Sequence, residues 1–287
     1  MKPEPHMEIL QINAKDGWKW IKDGFSIFQK APLVWSGIFF VYLLISLSLY
    51  FLLPLIGLVL FYLVDPLFVA GFMLACSVVS SNQEIHISHL FAAFKQKASR
   101  FVTIGGINLV GRMMIVGVMG LLFVNSGYDA YLIKIEQGDF GWLFSSDVEL
   151  SVFAWLIMLG LLMLPLYMAY WFSPALVEFD DLEPFDAVLL SILGCIRNVK
   201  AFLIYGLSFV LVSLGALLVV AIIGGTLGTV SSFIGLGMFF KIFMGYLGLI
   251  LALVCWLGAQ VLIATSQYMS YKAIFCPEEE ASSLLAL

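Results

Sequence analysis

Charge is what this sequence has least of. Charged residues fill 11% of its 287 positions, against about 25% in ordinary soluble proteins. No polar stretch is long enough to fold a separate water-soluble domain, and no basic tract suits nucleic acid, so the chain is read as having no nucleic-acid partner. Cysteine is sparse and scattered. Cys76, Cys195, Cys255 and Cys276 form no C-x-x-C pair and no even-spaced framework, which points to reduced, structural thiols. Catalytic signatures are missing too: there is no P-loop, G-x-S-x-G, H-E-x-x-H or nucleophile–base pair, and no cofactor is implied. No lipidation motif is evident, and the first apolar run starts too late and runs too long for a cleavable signal.

What fills the space is hydrocarbon. Hydrophobic residues make up 62% of the chain and the mean hydropathy is +1.04. About 20 apolar residues cross a hydrocarbon core of roughly 30 Å. Runs of that length predict an all-α polytopic membrane protein with six transmembrane helices, at about 33–53, 54–79, 101–124, 150–177, 201–223 and 242–269. One membrane domain over 17–276 is thus expected between short cytosolic tails at 1–16 and 277–287.

Three amphipathic stretches precede pairs of spans. In the first, Trp18, Ile21, Phe25 and Phe28 share a helical face. In the second, Ile87, Leu90, Phe91 and Phe94 do so, and in the third Phe185, Val188, Leu189, Ile192 and Ile196. Each is expected to be a helix lying in the membrane interface. The spans that follow open alike, as Leu33-x-x-x-Gly37, Phe101-x-x-x-Gly105 and Phe202-x-x-x-Gly206. The pattern predicts three parallel repeats, each an interfacial helix followed by a two-span hairpin. A longer acidic connection over 125–149 and a glycine-rich bridge over 224–240 complete the chain. Lys2, Lys15, Lys19, Lys22, Lys30, Lys95, Lys97, Arg100, Arg197, Lys200 and Lys272 fall on one side, and only Lys134 and Lys241 on the other. By the positive-inside rule both termini are expected in the cytosol.

Asp65 and Arg112 are the clear charges deep inside apolar runs. A charge near the bilayer centre costs about 2.5–3.5 kcal/mol on insertion scales, so such residues are usually paired or functional. Both lie roughly 16–18 Å below the outer ends of consecutive antiparallel spans, and Asn108 stands one turn before Arg112. Two readings stand. Asp65 caps a helix broken at Asp65-Pro66 while Arg112 pairs with it or satisfies loose carbonyls, or the three residues form a polar site or ion path between spans. Glu84, His86 and His89 form a Glu-x-His-x-x-His group, a weak metal candidate and more simply a solvated helix face. Asp180, Asp181 and Glu183, flanked by Glu178 and Asp186, offer oxygen ligands to a cation; their plainer role is to start the helix at Pro184.

The opening Trp18, Gly24, Phe28, Pro32 and Trp35, with the later Pro174, Ala175, Leu176, Ala187, Ser191, Asn198, Phe202 and Gly206, resembles a family of uncharacterised bacterial six-span inner-membrane proteins. The resemblance implies a bacterial inner-membrane location and no activity. The leading functional expectation is a non-enzymatic protein acting by association in the bilayer, with a membrane-protein partner or a second copy of itself, as an accessory, assembly or membrane-organising factor. The alternative is a transporter or channel for a small or amphiphilic solute, using Asp65, Asn108 and Arg112.

Overall fold

The computed structural model describes residues 8–95, 97–125, 133–134, 136–138, 150–233 and 238–276. Proline punctuates it. Pro32, Pro54, Pro174 and Pro184 each stand in the first turn of a helix, where the missing N–H leaves no bond unmade. In order, the helices are α1 (Asp16–Lys30), α2 (Pro32–Leu52), α3 (Pro54–Ser80), a 3-10 helix (Ile87–Phe94), α4 (Ala98–Asn125), α5 (Leu150–Trp171), α6 (Ser173–Phe179), α7 (Pro184–Arg197), α8 (Val199–Phe233) and α9 (Met238–Phe275). Six helical stretches are long and apolar enough to cross a membrane: Pro32–Leu52, Leu55–Ser80, Ala98–Leu122, Phe153–Phe179, Val199–Thr226 and Gly245–Phe275.

Two boundaries depart from the sequence reading. The second span is not broken at Asp65-Pro66, because α3 runs through Pro66 as one helix; tertiary packing holds the turn despite the lost hydrogen bond. The glycine-rich bridge is largely helical, since α8 continues to Phe233 and α9 starts at Met238. In an apolar setting a helix satisfies the backbone polar groups that an irregular loop would leave bare. The connection over 125–149, with Asp129, Asp139, Asp147 and Glu149, lies almost wholly outside the described residues, as do the tails at 1–7 and 277–287.

The short helices tie the hairpins into a ring. Helix α1 packs on the third hairpin, α8 and α9; the 3-10 helix packs on the first, α2 and α3; and α7 packs on the second, α4 and α5. Each short helix therefore covers the hairpin before it in the cycle, not the one it leads into. The contacts are close because glycine allows them. A Cβ on Gly17 would lie 2.1 Å from the Ala201 carbonyl oxygen, and one on Gly71 would lie 2.4 Å from that of Leu90.

The faces that touch the bundle are only in part the apolar faces seen in the sequence. Helix α1 buries Gly17, Trp20, Ile21, Gly24 and Ile27, while Trp18 and Phe25 stay 48% and 46% exposed. Helix α7 buries Pro184, Ala187, Ser191, Gly194 and Cys195, and Phe185, Leu189 and Ile196 point away. The 3-10 helix buries Leu90 and Ala93, leaving Ile87, Phe91 and Phe94 exposed. Small residues let the helices approach closely, with Trp20 and Leu90 packed beside them, and many other large side chains point outward, as expected where there is little hydrophobic drive between helices. Burial also pushes the Cys195 thiol up to about 12, away from the reactive thiolate.

The core lies at one end of the ring. Trp20, Trp35, Leu67, Met73, Leu90, Phe101, Phe172 and Ile274 are all fully buried there. Asn198, also buried, accepts from the Ile12 N–H at 2.9 Å and donates to the Leu10 and Gly194 carbonyls at 2.9 and 3.0 Å. It fastens the N-terminal segment, whose Leu10 N–H also donates to the Ile274 carbonyl. Toward the opposite end most described side chains are exposed, Met119 of α4 being a fully buried exception.

Candidate functional site

Asp65 joins three helices. Its Oδ1 accepts from the Tyr42 hydroxyl of α2 at 2.7 Å, and its Oδ2 accepts from the Tyr170 hydroxyl of α5 at 2.5 Å. The carboxylate thus has a donor on each oxygen without a second buried charge. Arg112 approaches from α4. Its Nε donates to Asn108 Oδ1 at 2.5 Å, and its guanidinium carbon lies 5.3 Å from the Tyr62 ring centroid and 5.1 Å from that of Tyr167. Such stacking offsets part of the cost of a desolvated cation.

Asn108 and Arg112 therefore meet, as their spacing of one turn predicts. Asp65 and Arg112 share a region, but no direct ion pair joins them among the described residues. Tyrosines supply the partners instead. Tyr42, Tyr62, Tyr167 and Tyr170 are residues the sequence reading passed over. The available signal was a phenol inside an apolar run, whose hydroxyl needs a partner when buried. The cavity touching Asn108 and Tyr170 is only about 10 Å³, near the lower limit for one water.

The other candidates have partners of their own. The His86 N–H donates to His89 Nδ1 at 2.9 Å, and the two rings stack at 5.9 Å. Glu84 stays exposed. Among the described residues no three His, Cys, Asp or Glu side chains converge on a metal position.

The acids between α6 and α7 form a clasp with α4. Lys97 Nζ donates to the Val177 and Glu178 carbonyls at 3.0 and 2.9 Å, placing a cation on the C-terminus of α6, where the helix dipole favours it. Arg100 bridges Asp181 at 2.8 Å and Glu183 at 2.7 Å, and Asp180 accepts from the Tyr271 hydroxyl at 2.7 Å. Side chains of the protein occupy the positions a bound cation would need. Asp181 sits at φ +56°, a left-handed conformation that aspartate tolerates. Its carboxyl is held below the usual aspartate range by Lys97 and Arg100. The clasp is predicted to persist through about pH 4, where free aspartate protonates, and to be lost as pH falls through the lowered value. Thermal unfolding across acid pH checks this: Asp181→Asn should melt slightly below wild type at neutral pH and together with it once Asp181 is protonated. A gap that widens on acidification contradicts the assignment. The effect is small, since Asp181 is mostly exposed.

Comparison with known proteins adds location. The chain is 27% identical over 215 residues to a probable inner membrane protein of Burkholderia thailandensis, covering 73% of this chain and 77% of that protein. With six membrane-length helices, that decides the setting. The chain is a multi-pass inner-membrane protein. No protein-family model matches it, and no solved structure does. Several of the residues that carry the family resemblance lie in the packed end, though Trp18 is exposed and a Cβ at Gly206 would meet nothing within 4 Å. The Ser191 hydroxyl accepts from the Phe172 N–H at 2.9 Å and donates to the Met168 carbonyl. Pro174, Ala175, Leu176, Ala187 and Trp35 are buried, as is Asn198 with its three bonds.

Proposed function

We propose that this inner-membrane protein works by association, as an accessory, assembly or membrane-organising factor, with both termini and the packed end in the cytosol. One observation carries the reading. Of the most apolar 18-residue stretch in the Val199–Thr226 span, 0% is buried inside the chain. A helix with no fully buried residue along that stretch turns most of its surface outward, where it can meet lipid or other helices. The outer parts of α4 and α5 offer outward-facing apolar side chains through Met113, Met114, Ile157 and Leu161. The basic residues at the packed end, among them Lys97, Arg100, Arg197 and Lys200, support the orientation.

A solute path at Asp65, Asn108 and Arg112 is the weaker reading. Two tyrosines engage the carboxylate, and the adjoining cavity is close to the size of one water. Native mass spectrometry of the gently solubilised protein tests the proposal. A stoichiometric protein partner or a defined homo-oligomer is the expected result. A monomer that moves a solute across proteoliposomes, and stops doing so in Asp65→Asn, would overturn it.

A further inference from the structure

The first hairpin fills the space between its own helices. Beneath the 3-10 helix, Phe39 stacks on Phe72 at 4.3 Å, Tyr42 meets Phe68 edge-on at 5.5 Å, and Phe94 lies 5.1 Å from Phe68. The third hairpin leaves the corresponding space open. Between α8 and α9, beneath α1, lies a cleft of about 420 Å³. Ser213, Ala216, Gly258 and Ala259 are the small residues in its lining, and Phe25 and Phe28 of α1 cover its end.

We propose that this cleft holds one acyl chain of an anionic glycerophospholipid from the leaflet on the α1 side, with the lipid phosphate at Lys22. Three features select that occupant. First, the α8 residues that line the cleft run from Phe209 to Val220, a length of about 16 Å, which matches half of a roughly 30 Å hydrocarbon core. Second, that length and volume leave a mean cross-section of about 26 Å². A helix about 10 Å across needs nearly 80 Å², so the cleft matches a single extended chain more closely than a whole helix. Third, Lys22 stands one turn before Phe25, is exposed, and makes no ion pair among the described residues. Its neighbour Lys19 is already bridged to Asp16 at 2.7 Å. An apolar cleft covered at its end by Phe25, with an exposed ammonium one turn earlier on the same helix, complements an acyl chain ending in a phosphodiester. The inference concerns a single hairpin and stands whether or not the protein has a protein partner.

The test uses the full chain, purified from mild detergent with equimolar phosphatidylglycerol and phosphatidylethanolamine, and native mass spectrometry. Wild type is expected to retain one phospholipid, with phosphatidylglycerol preferred. Ala259→Phe should lose it. Lys22→Gln should keep a lipid but lower the preference about fivefold, the worth of one lysine near a membrane surface. A second measurement does not depend on a cleft-filling variant. Trp256 lines the cleft, so phosphatidylglycerol brominated on its acyl chain should quench wild-type fluorescence in detergent, saturating at one equivalent. Trp256→Phe should lose that component. Absence of a retained lipid, equal retention of both headgroups, or quenching that never saturates overturns the proposal. Disulfide formation between copies through Cys255, which also lines the cleft, overturns it in favour of a protein contact.

Discussion

Gly105→Ala should destabilise the protein by more than the usual cost of overpacking, about 1–3 kcal/mol. A Cβ there would lie 2.5 Å from the Tyr62 carbonyl oxygen, 2.7 Å from the Leu63 carbonyl oxygen and 2.8 Å from the Leu63 Cα. All three atoms are backbone, so no side-chain end can swing aside. The reason for the close approach lies four residues further along α3. Pro66 has no N–H to give the Tyr62 carbonyl, and the bare turn is where the backbone of α4 presses in, with room for a weak Cα–H···O contact. Gly206 opens the third hairpin in the same register, yet a Cβ there meets nothing within 4 Å. Gly206→Ala should therefore be neutral or slightly stabilising, because alanine is the better helix former by about 1 kcal/mol. Thermal unfolding of both variants in one detergent decides the matter. Equal midpoints for the two would remove Gly105 from the α3–α4 contact.

Asp65→Leu and Asp65→Asn should diverge. The leucine variant leaves the Tyr42 and Tyr170 hydroxyls without their acceptor, at about 1–3 kcal/mol for each unsatisfied group. It also leaves Arg112 without the nearby negative charge. The asparagine variant keeps polar partners for both hydroxyls and removes a charge that costs about 2.5–3.5 kcal/mol near the bilayer centre, so its stability should stay close to wild type. Adding Tyr42→Phe and Tyr170→Phe to Asp65→Leu should recover part of the loss, since replacing both sides of a polar contact by apolar groups is far cheaper than replacing one. Midpoints for the four proteins, with their accumulation in the membrane, give the comparison. If Asp65→Asn is as unstable as Asp65→Leu, the tyrosine hydrogen bonds are not what Asp65 contributes. If Asp65→Asn is stable but abolishes solute movement, the transport reading replaces the association reading.

The site shows where sequence spacing informs and where it fails. Asn108 and Arg112 are four residues apart on one helix, and helical geometry alone brings them together. Asp65 and Arg112 were matched by depth, which places them in one region of neighbouring helices. Depth says nothing about rotation, and rotation about α2 and α5 gave Asp65 two tyrosines from elsewhere in the chain. Sequence position alone marks Asp181 and Glu183 as acids at a helix start; their pairing with Lys97 and Arg100, some eighty residues earlier, depends on how α4 meets α6.

The amphipathic segments mark the same divide. Sequence alone determined that the chain spans a membrane six times and that three short segments precede hairpins, because length and hydropathy fix what a bilayer accepts. It also determined that these segments have a large apolar face, including Trp18, Phe25, Phe185 and Ile196. Only the tertiary structure decided which face touches protein. Between membrane helices, apolar residues gain little over lipid, so contact goes to the surfaces that approach most closely. In α1 those are Gly17 and Gly24 around Trp20, and in α7 Ala187, Ser191 and Gly194. Tertiary structure likewise decided that each short helix covers the preceding hairpin, and that α8 and α9 are left with a cleft where α2 and α3 have a stack of rings.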